Sequence, residues 1–369
     1  MDFPRSVDIF CRVVDNFGDI GVCWRLAYQF AKEHSLSVRL YVDDLGSLER
    51  IVPDYSALCS ASFYVVRWVD DLDYSNAADV VIEAFACDLP PNVIEAIVRR
   101  GGEAAWIDLE YLTAEGWAAG CHGIPSTHPS TGLKKSMFFP GFSETSGGLI
   151  RETDLFERRN EFQSDINAQN LWRTAYDLPQ FDENFIDISL FSYKSAPIPS
   201  FFDDLSSYKS PVRVFFPSNE GFCVEKIGAL HVHRIPFVPQ DQFDYLLWTC
   251  DVNFVRGEDS FVRAQFAGRP MIWNIYVQEE DAHLIKLRAF LDLYCAAFSP
   301  EERERLAESF KLWNQEGQTE VGWWHGYLDR LPAFQSGAAV WSDHLFGQPD
   351  LAHRLLAYAY NNNILKNKG

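Results

Sequence analysis

Through the first 110 residues, short apolar runs alternate with segments whose apolar positions recur at helical spacing. Residues 7–14 read as a buried first strand and 22–31 as the amphipathic helix after it. Further strands are predicted at 38–42, 63–68, 80–85 and 104–109. Helices are predicted at 45–51 and at 92–100, the second behind Pro90 and Pro91. Residues 110–150 break the pattern: they are rich in Gly, Ser, Thr and Pro and read as loops, with a strand near 137–140. A charged helical stretch at 151–176 stops before Pro179, and a second alternating series starts near Asn184. It has strands at 186–193, 212–217, 230–237, 250–255 and 270–276, and helices at 240–249 and 259–267. Asp259 or Ser260 is the predicted N-cap of the 259–267 helix, and Gly268 is its stop. Helices then dominate to the end, the last at 351–365.

Strands alternating with helices imply parallel sheets covered on both faces. The pattern predicts two successive Rossmann-like α/β domains, at 1–165 and 180–350, with a terminal helix at about 351–369 packing back on the first. Two such domains joined by a short connection are expected to face each other across a central cleft. Open α/β sheets bind ligands at strand carboxyl ends, so that cleft is the default site.

Composition narrows the function. Of 369 residues, 47% are hydrophobic and 23% charged, which suits a large core and not a disordered chain. A net charge of −20 argues against a nucleic-acid binder working by broad electrostatics, and suits a partner with a basic surface. The eight cysteines, Cys11, Cys23, Cys59, Cys87, Cys121, Cys223, Cys250 and Cys295, form no C-x-x-C pair. That is the usage of a reduced compartment without structural zinc. With no signal peptide and no run of 18 or more apolar residues, a cytoplasmic protein without a membrane span is expected.

Two stretches carry candidate chemistry. Asp15-Asn16-Phe17-Gly18-Asp19-Ile20-Gly21 lies where the first strand turns into the first helix. Its glycines permit a tight turn and close approach of a ligand, and its carboxylates sit four apart, one leaving the strand and one entering the helix. Only Gly18 and Gly21 match the spacing of the dinucleotide fingerprint, so this loop offers carboxylates and not a bare phosphate cradle. Arg256-Gly257-Glu258-Asp259-Ser260 also joins a strand to a helix. There the N–H groups of a helix start, the Ser260 hydroxyl and the Arg256 charge suit a diphosphate. Phe191, Tyr193, Phe237, Gln240 and Phe243 cluster at strand ends and a helix start of the same domain, where aromatic faces can stack a base and Gln240 can read its edge. Asp71-Leu72-Asp73 has the form of a metal-dependent sugar transferase motif but sits in a polar, turn-like context, and His231-Val232-His233 has no evident third ligand. No metal site is therefore expected, and neither a G-x-S-x-G nor a Walker A sequence is present.

Residues 14–26, Val-Asp-Asn-Phe-Gly-Asp-Ile-Gly-Val-Cys-Trp-Arg-Leu, together with 256–265, Arg-Gly-Glu-Asp-Ser-Phe-Val-Arg-Ala-Gln, closely resemble the EarP family of bacterial protein-arginine rhamnosyltransferases. The resemblance runs through both domains. It implies a GT-B glycosyltransferase that moves L-rhamnose from TDP-β-L-rhamnose, with inversion and without a metal or other cofactor, to an arginine of elongation factor P. The acceptor would be its KOW-like N-terminal domain, received by the first domain, and the modified factor relieves ribosomes stalled at consecutive prolines. In that frame Asp19 is the expected general base, and Asp15 orients the guanidinium or holds the turn. Glu258 is expected to position sugar or acceptor. Donor contacts are expected from Asn16, Phe17, Gly18, Phe191, Tyr193, Phe237, Gln240, Phe243, Arg256, Glu258, Asp259 and Ser260. A GT-B enzyme of another specificity, or a binding module of the same fold, are the competing readings. Retention of both aspartates and Glu258 counts against the second.

Overall fold

The computed structural model describes residues 4–14, 17–69, 72–101, 103–218, 222–317 and 320–366, with side chains to residue 361. The chain divides into two compact units, one formed by 1–153 with 348–369 and the other by 154–347.

Among the described residues the first unit holds a seven-stranded sheet. Its strands are β1 (Ser6–Cys11), β2 (Ser37–Val42), β3 (Phe63–Arg67), β4 (Val80–Ala84), β5 (Ala105–Leu109), β6 (Pro125–Thr127) and β7 (Lys134–Phe138). They lie in the order β3-β2-β1-β4-β5-β7-β6, all parallel except β6, which runs antiparallel at the edge. β1, β4 and β5 are buried along almost their whole length, which is why they read as unbroken apolar runs. The one charge at the centre of β1, Asp8, is fully buried and fully met. Arg39 binds it through both Nε and Nη2 at 2.6 Å, and the Tyr74 hydroxyl and Ala78 N–H donate to it as well. Helices Gly18–Lys32 and Pro91–Arg99 connect consecutive strands, the second with proline at its first turn.

The 110–150 region is more regular than its composition suggests. It contains a short helix, Gly116–Cys121, and the β6–β7 pair, with β7 starting at Lys134. β6 is exposed throughout, so no apolar alternation marks it. The last helix, Leu351–Lys366, belongs to this unit. The Arg354 Nη1 donates to the Ser143, Glu144 and Ser146 carbonyls at 3.1, 2.7 and 2.6 Å, and the Tyr358 hydroxyl to Gly123 O at 2.8 Å.

The second unit is built on a six-stranded sheet of β8 (Ile186–Leu190), β9 (Val212–Pro217), β10 (Cys223–Ile227), β11 (Leu230–Ile235), β12 (Val252–Arg256) and β13 (Met271–Asn274). The order is β10-β11-β9-β8-β12-β13, with only β10 antiparallel. β10 is exposed at all five positions, and sequence patterning did not mark it. The strands predicted at 186–193 and 230–237 end sooner, at Leu190 and Ile235, which leaves 191–193 as a loop. The helix Leu155–Ser164 packs in this unit and not the first. Arg159 donates to Phe266 O and to the Ser342 hydroxyl, and Gln163 to Trp248 O and Ala267 O. The chain thus divides between Thr153 and Asp154, inside the 150–184 stretch that separates the two alternating series of the sequence. Asp187 in β8 is buried between Arg173 and Arg213, both bonded to it at 2.6 Å. Among the described residues no helix is long and apolar enough to cross a membrane.

Candidate functional site

In the second sheet β9 and β11 lie on one side of β8, and β12 and β13 on the other. The carboxyl ends of β8 and β12 are therefore the point where connections diverge, the place where open α/β sheets bind ligands. Residues 191–193 and 257–260 leave the sheet at that point. The Phe191 N–H donates to Phe254 O at 2.8 Å, carrying the ladder one residue past β8. Arg256 ends β12, and its guanidinium lies 4.4 Å from the Phe191 ring centre and 4.7 Å from that of Tyr193. A cation over two aromatic faces is held by their quadrupoles. Phe237 and Phe243 meet Phe191 edge-on at 6.3 and 5.9 Å. Phe237 is 40% exposed, an open wall and not a core side chain.

The turn after Arg256 is made by Gly257, at φ +61, where a side chain would be strained. The Trp273 indole N–H donates to its carbonyl at 3.0 Å, and Trp273 stacks on Phe261 at 3.9 Å. The helix Asp259–Phe266 follows, with Glu258 at its N-cap instead of Asp259 or Ser260. The reason is local: the Asp259 carboxylate accepts from Gln240 Nε2 at 2.7 Å, and the buried Ser260 hydroxyl donates to Arg256 O. The Glu258 side chain makes no capping bond. Beneath this turn Arg263 grips Asp244 through Nε at 2.8 Å and Nη2 at 2.5 Å, both side chains being almost wholly buried. That two-pronged pair locks the helix Gln240–Thr249 to the helix Asp259–Phe266, and so fixes Gln240 against Asp259. Tyr276, just beyond β13, is 54% exposed and meets Tyr193 edge-on at 5.5 Å. The structure thus brings together Phe191, Tyr193, Phe237, Gln240, Phe243, Arg256, Glu258, Asp259 and Ser260. It adds Tyr276, Asp244 and Arg263, which sequence reading assigned no role. Tyr276 was hidden because a tyrosine at the end of an apolar run reads as strand. Asp244 and Arg263 lie on different helices, and no spacing rule joins them.

The first sheet has the same divergence, between β1 and β4. Asp15 and Asn16 lie outside the described residues. Phe17 is the N-cap of the helix Gly18–Lys32, and Gly18 is its first residue. Asp19 sits in the first helical turn, 2% exposed, where the helix dipole favours a carboxylate. Its Oδ2 accepts from the Val14 N–H at 2.8 Å, and Asp43 accepts from Val13 N–H at 2.9 Å. Two carboxylates thus hold the chain as it leaves β1. Below them the Cys11 thiol is pushed well up by its hydrogen bond with Cys23, by burial, and by the Asp19 and Asp43 charges, so it stays protonated. At the end of β4, Phe85, Ala86 and Asp88 all take left-handed φ, at 57°, 51° and 53°. Side chains rarely hold that conformation, and clusters of it mark functional turns. Without a glycine there, the sequence carries no sign of it.

Asp71 of the Asp-x-Asp motif lies outside the described residues. Among the described residues no three His, Cys, Asp or Glu side chains come together as a metal cluster.

Residues 7–360 match the family model of the elongation factor P (EF-P) rhamnosyltransferase EarP. A protein-arginine rhamnosyltransferase of Pseudomonas aeruginosa is 42% identical over 372 residues, covering 96% of this chain and 98% of that protein. A solved structure describing EarP-mediated arginine glycosylation of translation elongation factor EF-P superposes with a TM-score of 0.67 at 30% identity, over 96% of this chain and 99% of that one. MurG of Acinetobacter baumannii superposes at 0.52 with 11% identity, over 97% and 100%, a likeness of fold alone. The architecture is that of the GT-B glycosyltransferases.

Proposed function

The chain belongs to the EarP family of EF-P rhamnosyltransferases, and from that premise we propose that it transfers L-rhamnose from TDP-β-L-rhamnose to an arginine side chain of elongation factor P. The acceptor domain is the KOW-like N-terminal domain of that factor. The reaction takes place in the cytoplasm, uses no metal or other cofactor, and prepares the factor for rescue of ribosomes stalled at consecutive prolines.

One observation carries the donor side: the Arg256 guanidinium stacked on Phe191 and Tyr193 beside the first turn of the helix Asp259–Phe266. A cation and a helix start at a sheet divergence suit a diphosphate, and the aromatic walls Phe191, Phe237 and Phe243 suit thymine. Gln240, Tyr193 and Tyr276 complete the nucleoside's surroundings. Asn16, Phe17 and Gly18 also serve the donor.

The chemistry is a displacement. A guanidinium has a pKa above roughly 12, so its nitrogen attacks only as it gives up a proton. Asp19 takes that proton while Asp15 orients the guanidinium, and Glu258 positions the sugar. The nitrogen forms its bond to the anomeric carbon on the face opposite the diphosphate. The bond from that carbon to the diphosphate oxygen breaks, and TDP leaves with the electron pair. Arg256 and the N–H groups of Asp259 and Ser260 receive the growing negative charge. Attack from the opposite face inverts the anomeric centre.

Incubation with TDP-rhamnose and unmodified elongation factor P, followed by intact-mass measurement, tests the reading. A gain of one deoxyhexose on the factor is expected. Donor turnover without that gain would assign the enzyme another acceptor.

A further inference from the structure

We infer that Asn314, acting with Asn274, is a positioning residue for the donor pocket, holding the Tyr193 and Tyr276 segments in place after their strands have ended. The inference rests on the donor reading above.

β8 stops at Leu190 and β13 at Asn274, so the ladder does not fix Tyr193 or Tyr276. Side-chain amides do so instead. The Tyr193 N–H donates to Asn274 Oδ1 at 2.8 Å. Asn274, only 2% exposed, donates from Nδ2 to Asn314 Oδ1 at 3.2 Å. The same oxygen accepts from the Ile275 N–H at 3.0 Å, directly before Tyr276. The Asn314 Nδ2 donates to Trp273 O at 2.8 Å and to Phe310 O at 2.9 Å. Two bonds to its oxygen and two from its nitrogen use the full capacity of the Asn314 amide. The neighbouring Gln315 adds a second tether, its amide donating to Ser195 O in the same loop as Tyr193.

Helix termination does not require this. Asn314 is the C-cap of the helix Pro300–Trp313, and its backbone N–H already closes that end. Its side chain is turned to the exits of β8 and β13, and with Gln315 it joins both to one rigid helix end. A pocket wall built from two loops keeps its shape only if the loops are fixed relative to each other, and the Asn274–Asn314 relay supplies that link.

The test compares wild type, Asn314→Ala and Gln315→Ala by calorimetric titration with TDP, by steady-state kinetics with both substrates, and by thermal midpoint. Asn314→Ala is expected to raise the TDP Kd and the donor KM by about tenfold, with kcat at saturating donor and the acceptor KM unchanged. Gln315 is exposed, so its variant folds; a rise of about threefold in donor KM at an unchanged midpoint is expected. TDP bound as tightly by both variants as by wild type would overturn the inference. So would a fall in kcat with Kd unchanged, the mark of a structural role only. If Asn314→Ala fails to fold, Gln315→Ala decides. Wild-type protein that binds no TDP would instead overturn the donor reading itself, and this inference with it.

Discussion

Asp19 commits one carboxylate oxygen to the Val14 N–H, so the side chain has a defined direction before any acceptor arrives. Asparagine keeps an oxygen for that bond but cannot act as a base. Asp19→Asn should therefore lower transfer by on the order of a hundredfold or more while TDP affinity stays within about twofold, since general bases contribute about 10² to 10⁴. Calorimetry showing lost donor binding would make Asp19 a donor ligand instead. Arg256→Ala removes the cation stacked on Phe191 and Tyr193. Its TDP Kd should rise about ten- to a hundredfold, the range for a charge-assisted hydrogen bond; an unchanged Kd would end the phosphate role. A third residue reports on stability. Burial, then Arg213, then His231 push the buried His233 down to about 4, with Asp187 opposing. The unfolded chain takes up a proton near the ordinary histidine value of about 6.5, which the folded chain refuses until about 4. Stability is lost as pH falls through that window. Both ring nitrogens of His233 lack a hydrogen-bond partner, so His233→Phe should be tolerated at pH 7.5 and gain on wild type in thermal midpoint at pH 5. A midpoint difference independent of pH would refute this.

Among the elements, the helices Gln240–Thr249 and Asp259–Phe266 depend on each other through Asp244 and Arg263. Removing one partner strands a buried charge, at about 3 to 5 kcal/mol. Asp244→Ala should therefore lower the denaturation midpoint steeply. In the protein that remains folded, TDP affinity should also fall, because the Gln240–Asp259 bond loses its footing. Intact TDP binding at a lowered midpoint would show that the pair stabilises the unit without shaping the pocket. The elements that escaped sequence reading share a physical cause. β6 and β10 are exposed edge strands, which have no buried face to impose alternation. The helix Leu155–Ser164 was legible as a helix, but not as a member of the second unit, because Arg159 and Gln163 reach carbonyls more than 80 residues away.

For the whole molecule, the −20 net charge is a property of association more than of fold. A basic acceptor face would be drawn in by that field, and salt would screen it over a Debye length of about 8 Å at physiological ionic strength. The acceptor kcat/KM should fall severalfold between low and high salt, with kcat little changed; a flat response would refute steering. The first unit closes on itself through its last helix, whose Arg354 collects three carbonyls of the 143–146 loop.

What the sequence determined by itself was local or periodic. Buried parallel strands announce themselves as apolar runs, helices as a repeat, and strand-to-helix turns by their Gly and Asp content, so two α/β units and the stretches 15–21 and 256–260 could be read directly. The aromatic and polar residues gathered at the ends of β8 and β12 could be named too, because each stands at or just past a strand end or near a helix start. The tertiary structure alone decided which partners those residues take. Arg256 lies on Phe191 and Tyr193, Asp259 is held by Gln240, Asp244 by Arg263, and the Tyr193 backbone by Asn274 and Asn314. Such pairs join positions far apart in the chain. Their geometry follows from strand order and crossover, which no local spacing encodes.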